Sequence, residues 1–169
     1  MNEENGKPEP GPDAVDGTTI SEGELQFDAE HRDWALQMFV GICNMSGAEI
    51  SVTLNLGGCY VSGYIVKPEK YFDGLIADLQ GANFHGDTAG EMRKMMENTL
   101  SSMKEMATPV PGKDDDPRGL RPRYIHLRAA RFFAPNDLGH PFPSLPRGAW
   151  WKGKIAAVDG FQIGMPFPV

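Results

Sequence analysis

The chain has 169 residues, 40% of them apolar, and a formal net charge of −7, proportions that suit one domain with appendages rather than two. No run approaches the roughly eighteen apolar residues a membrane helix needs, and the acidic first residues, Met1 to Asp16, lack the apolar centre of a signal peptide. The charge is segregated: residues 1–24 hold seven acidic groups against Lys7, a net of −6, while 117–156 hold eight basic groups against Asp137, a net of +7. Such segregation favours attraction between molecules or masking within one. Cys43 and Cys59 each lie in an apolar run and read as buried thiols of a reducing compartment.

Residues 1–26 are too poor in apolar side chains to offset their ordering entropy, which predicts a disordered acidic tail. Asp28 is a candidate N-cap for a helix in which Ala35, Met38, Phe39, Ile42 and Met45 recur at helical spacing, with Leu36, Val40 and Cys43 widening the stripe, to an end near Ser46-Gly47. In Ile50 to Leu56 the apolar residues Ile50, Val52, Leu54 and Leu56 alternate with Ser51, Thr53 and Asn55, the period of a strand with one buried face. Gly57-Gly58 then predicts a two-residue hairpin turn into the strand Cys59 to Val66, where Gly63 marks a bend or a close backbone approach.

Pro68 opens a short helix to Leu79 with Tyr71, Phe72, Leu75, Ile76 and Leu79 on one face. Thr88 and Glu91 have the spacing of a capping box for a second helix to about Met106. Its methionine stripe is expected to pack on the strands, with an adaptable contact surface as the alternative. Residues 107–122 read as a linker whose three consecutive aspartates are solvated charge. Arg123 to Phe133 is a predicted strand with Ile125, Leu127 and Ala129 inward and Tyr124, His126 and Arg128 outward. A proline-rich loop, 134–147, follows. The next strand, Gly148 to Val158, sends Trp150 and Trp151 to opposite faces, one to the core and one to a contact surface. Asp159-Gly160 is a turn signal before a last short strand, Phe161 to Met165.

The predicted fold is therefore α+β: a small curved β-barrel of about five strands, with an N-terminal helix, a helical insertion at 68–106 and the linker at 107–122. The barrel domain spans 27–165 and residues 166–169 form a C-terminal tail. This element order is similar to Sm-like and SH3-like barrels, without their RNA-binding signature. No GxSxG, phosphate loop, dinucleotide fingerprint or metal-ligand spacing is present. His31, His85, His126 and His140 are scattered, and His126 is expected on the surface. No catalytic residue, metal or cofactor is assigned. The candidate interaction surface consists of Arg123, Tyr124, Arg128, Arg131, Trp150, Lys152 and Lys154, where cations and aromatics interleave.

The run Ile50-Ser-Val-Thr-Leu-Asn-Leu-Gly-Gly-Cys-Tyr-Val-Ser-Gly-Tyr-Ile-Val66, followed by Glu69-Lys70-Tyr71-Phe72, resembles the first half of the gas vesicle accessory protein GvpU family. Tyr124 to Phe133 and Gly148 to Gly164 resemble its second half, so the resemblance covers 34–80 and 123–164. It implies a non-enzymatic cytoplasmic protein, possessing no membrane span, that acts on vesicle assembly or clustering. Its partners would be gas vesicle proteins; the barrel adds the expectation of a homo-oligomer, since Sm-like barrels form rings through exposed strand edges. The alternative is a nucleic-acid-binding barrel using the basic strands, against which the acidic tail would compete.

Overall fold

The computed structural model describes residues 33–108, 121–144 and 146–164. The predicted tail at 1–26, the Asp28 cap, nearly all of the 107–122 linker and residues 166–169 lie outside the described residues. Helix α1 spans Trp34–Ser46, and its cap is Asp33, whose Oδ1 accepts the backbone N–H groups of Ala35 (2.9 Å) and Leu36 (3.0 Å). Such a cap is worth about 1 kcal/mol. Gly47, at φ 72°, ends the helix with its N–H on the Cys43 carbonyl.

The buried face of α1 is Leu36, Val40 and Cys43, while Trp34, Met38, Ile42 and Met45 stay exposed. Both stripes are apolar, so periodicity alone does not choose between them. The compact residues go against the sheet and the long ones outside. Strand β1 (Ile50–Leu56) and β2 (Cys59–Ile65) form the predicted hairpin, with Leu56 opposite Cys59 and both turn glycines at positive φ, 59° and 86°. Cys59, at the mouth of this turn, is exposed, so only Cys43 is the buried thiol that the sequence suggested.

Helix α2 (Pro68–Gly81) and α3 (Ala89–Ala107) follow. Thr88 caps α3 with ψ near 10° and makes no side-chain cap hydrogen bond, so the predicted capping box does not form. No residue of α3 is buried, and Met92, Met95, Met96, Met103 and Met106 are exposed. The methionine stripe is therefore not a buried core face. The helix leans on α2, through Leu100 and the Lys104–Asp73 ion pair (2.6 Å).

Strand β3 (Tyr124–Ala134) is the longest. It pairs with β2 along one side and, along the other, with β5 (Ala149–Lys154) and then β4 (Asp137–Phe142). The β4 strand lies in what reads from sequence as a loop. A 3-10 turn, Ile155–Ala157, then buries Ile155 and releases the chain toward β6 (Gly160–Ile163), which pairs with β1 instead of folding back on β5. The predicted continuous strand to Val158 thus stops at Lys154. The result is a six-stranded antiparallel sheet of order β4-β3-β2-β1-β6 with β5 also on β3. Among the described residues no strand pairing joins β6 to β4 or β5, so the sheet is open rather than closed into the expected five-stranded barrel.

The main core lies between α1 and one face of this sheet: Leu36, Val40, Cys43, Val52, Leu54, Val61, Ile65, Ile125, Leu127, Ala130 and Ile155. Ala130, not the predicted Ala129, points inward. Ala129 sits at φ 51° where the register of β3 shifts against β5, and a shift on the β2 side falls between Ser62 and Tyr64. Two glycines admit this bulge. A Cβ on Gly63 would stand 3.0 Å from the Arg128 carbonyl oxygen, and one on Gly148 would stand 2.6 Å from the carbonyl carbon of Ala129.

Gly148→Ala, at φ 65° and against rigid backbone, is expected to cost at least about 2 kcal/mol. Gly90→Ala, on α3 with nothing within 4 Å, is expected to be neutral or stabilising by up to about 1 kcal/mol. Urea midpoints at unchanged m-value measure both; equal midpoints would remove the bulge from any structural role.

Candidate functional site: a basic and aromatic cleft

The face of the sheet turned away from α1 carries the candidate surface, and α2 divides it. On β3 and β5 the register places Tyr124 opposite Lys154, and His126 opposite Lys152, so these four share one face with Trp150. Helix α2 lies over the middle of that face. Val66, Tyr71 and Phe72 form a second small core there, with Leu75, Leu100, Ala107 and Trp150 packed against it. A Cβ on Gly74 would stand 2.0 Å from the Trp150 ring, so α2 touches the indole directly. Trp151 packs on the main core on the other side. Both tryptophans are therefore half-buried, and Trp150 is not the exposed contact residue that alternation suggested.

Beyond the end of α2 the same face opens into a cleft of about 540 Å³. Phe72, Met103, Met106 and Pro122 contribute its apolar lining, and Arg121, Arg123 and Lys152 its cations; among the described residues no carboxylate lines it. The Lys152 ammonium lies 4.3 Å from the centre of the Tyr124 ring and 6.0 Å from that of Phe72, an arrangement that orients the cation along the wall. Lys154 is exposed on the same strand. Of the seven candidate residues, the structure brings Arg123, Tyr124, Lys152 and Lys154 together at this end.

Arg128 and Arg131 stand elsewhere with partners of their own. The Arg128 guanidinium donates to Glu49 (2.6 Å) and covers the Tyr64 ring at 4.3 Å. Burial pushes the Glu49 carboxyl up, yet hydrogen bonds from Lys70 and Arg128 outweigh it and hold the group below its ordinary value. Arg131 donates to the Pro146 carbonyl at 3.1 Å. These two cations hold loops and strands together.

His126, expected on the surface, is buried at the floor of the cleft, 4.8 Å from the Tyr71 ring and 6.2 Å from Phe72. Alternation correctly placed it on the face away from the main core; what covers that face was not legible. Neither ring nitrogen has a hydrogen-bond partner among the described residues, which is costly for a buried polar group. Burial, reinforced by the Lys152 charge, lowers its pKa to about 4. Sequence reading missed the convergence of Phe72, Met103, Met106, Arg121 and His126, because they come from separated segments and no local spacing joins them. Among the described residues no group of three His, Cys, Asp or Glu side chains is arranged to hold a metal.

The depressed pKa makes stability depend on pH. Between the unfolded value near 6.5 and about 4, the unfolded chain binds a proton that the folded one refuses, so stability falls as pH falls through this window. The expected loss from His126 by pH 4 is about 3 kcal/mol. His126→Phe should lose this part of the acid sensitivity. Urea unfolding of both proteins from pH 8 to 4 checks it: parallel stability curves would show that His126 titrates normally.

Neither the curated proteins nor the solved structures contain a match to this chain. A family model described as "Gas vesicle protein GvpU-like" matches residues 33–166, from the cap of α1 past the end of β6, and the chain belongs to that family.

Proposed function

We propose that this protein is a non-enzymatic accessory protein of gas vesicles, acting on their assembly or clustering through self-association and contact with vesicle proteins. Family membership carries the reading. The surfaces support it. Arg123, Tyr124, Lys152 and Lys154 form a cationic and aromatic patch suited to an acidic protein surface. The outer side of α1 presents Trp34, Met38, Ile42 and Met45, an apolar stripe available to a partner. The open sheet edges offer further routes to self-association. No described helix is long and apolar enough to cross a membrane, which fits a cytoplasmic place of action at the vesicle.

The nucleic-acid alternative has less to stand on. Trp150 lies under α2, and Lys152 already occupies one face of the Tyr124 ring, so the aromatic platforms for stacking bases are reduced.

Purified protein is expected to float with gas vesicles on centrifugation. Arg123→Glu combined with Lys152→Glu should lower the bound fraction about ten-fold, since both side chains are exposed and their reversal spares the core. Failure of the unaltered protein to float with vesicles would sink the reading; flotation unaffected by the double reversal would remove the patch from it. Light scattering after size exclusion should give a mass above that of the 18.5 kDa monomer, and a monomer at micromolar concentration would end the self-association part.

A further inference from the structure

The described residues carry twelve basic groups against eleven acidic, close to neutrality, while residues 1–32 carry nine acidic groups against Lys7 and Arg32, a net of −7. The net negative charge of the chain therefore belongs almost entirely to the segment that precedes α1. That segment also has a stretch that mixes apolar and acidic side chains: in Ile20-Ser-Glu-Gly-Glu-Leu-Gln-Phe27, Ile20, Leu25 and Phe27 accompany Glu22 and Glu24.

The cleft has the complementary chemistry. Its walls hold Arg121, Arg123 and Lys152 with no carboxylate among the described residues, and its lining includes Phe72, Met103 and Met106. His126 at its floor is 4% exposed, with both ring nitrogens short of a partner among the described residues.

The connection is short. Gln37 donates from Nε2 to the carbonyl of Pro122 (3.2 Å), and Pro122 lines the cleft, as does Asn44 two turns further along α1. Helix α1 thus runs beside the cleft, with Asp33 about 6 Å before Gln37 along the axis. The six residues from Phe27 to Asp33 span up to about 20 Å when extended, enough to bring 20–27 onto the cleft from the same chain.

We infer that the segment 20–27 docks in this cleft in cis, its glutamates against Arg121, Arg123 and Lys152 and its apolar side chains against Phe72, Met103 and Met106. The docked segment covers the patch formed by Arg123 and Lys152, so a partner using that patch must displace it. The docking itself requires no vesicle component, and it holds or fails independently of the function proposed above.

Hydrogen exchange of the full chain, alone in solution, tests it. Residues 20–27 should exchange at least about ten-fold slower than the free-chain rate, whereas residues 1–12 should exchange at that rate. Arg123→Glu with Lys152→Glu should abolish the protection of 20–27, and so should Leu25→Asp with Phe27→Asp, which leaves every cleft residue unchanged. Free-chain exchange of 20–27 in the unaltered protein overturns the inference, and so does protection that survives the Arg123 and Lys152 reversals. Protection that grows with protein concentration overturns it as well, because the occupant is then a second copy.

Discussion

The sheet depends above all on the bulge of β3 at Ala129. With Ala129 in the left-handed region at φ 51°, β3 turns so that its first half lies beside β5 and its last residues beside β4. A non-glycine residue holds that conformation only when its surroundings enforce it. Here Gly63 and Gly148 crowd in from either side, at distances no Cβ would allow at Gly148 and barely allow at Gly63. The bulge also advances the alternation by one residue, so that Ala130 enters the core and Arg128 turns to Glu49 and Tyr64.

That shift divides the basic strand. Before the bulge, Tyr124 and His126 share the face of Lys152 and Lys154; after it, Arg131 belongs to the neighbourhood of Pro146. Helix α2 makes the second division. It packs on the middle of the outer face through Tyr71 and Phe72, covers His126 and Trp150, and leaves the end bearing Tyr124 and Lys152 uncovered. The cleft exists because α2 stops short of that end and α3 extends past it with Met103 and Met106.

Much of this was legible in the residues, and the failures share a cause. The β1–β2 hairpin followed from strict alternation and Gly57-Gly58, both of which are local. The proline at Pro68 marked the start of α2, and the methionine-rich stretch was recognisably helical. What escaped needed knowledge of distant neighbours. His126 alternates outward but lies under a helix from another part of the chain. Trp150 does the same. Helix α1 has apolar residues on two stripes, and only the sheet selects Leu36, Val40 and Cys43 over Met38, Ile42 and Met45. The β4 strand was hidden by Pro141 and Pro143, which an edge strand tolerates on its unpaired side. The candidate surface was likewise a correct list of cations and aromatics whose grouping required the bulge and α2.

The electrostatics of the folded body explain why four of those residues stand apart from the rest. Arg128 and Lys70 share the carboxylate of Glu49, Arg147 pairs with Asp78 at 3.1 Å, and Lys104 pairs with Asp73. Each of these cations joins two elements of the fold. Around the cleft the composition is different: Arg121, Arg123 and Lys152 line it with no acidic residue among the described ones, and the His126 imidazole at its floor is held neutral by burial and by the Lys152 charge. A positive field confined between low-dielectric walls is stronger than the same charges on an open face. Among the described residues the remaining charges nearly cancel, so that field stands out against a near-neutral body.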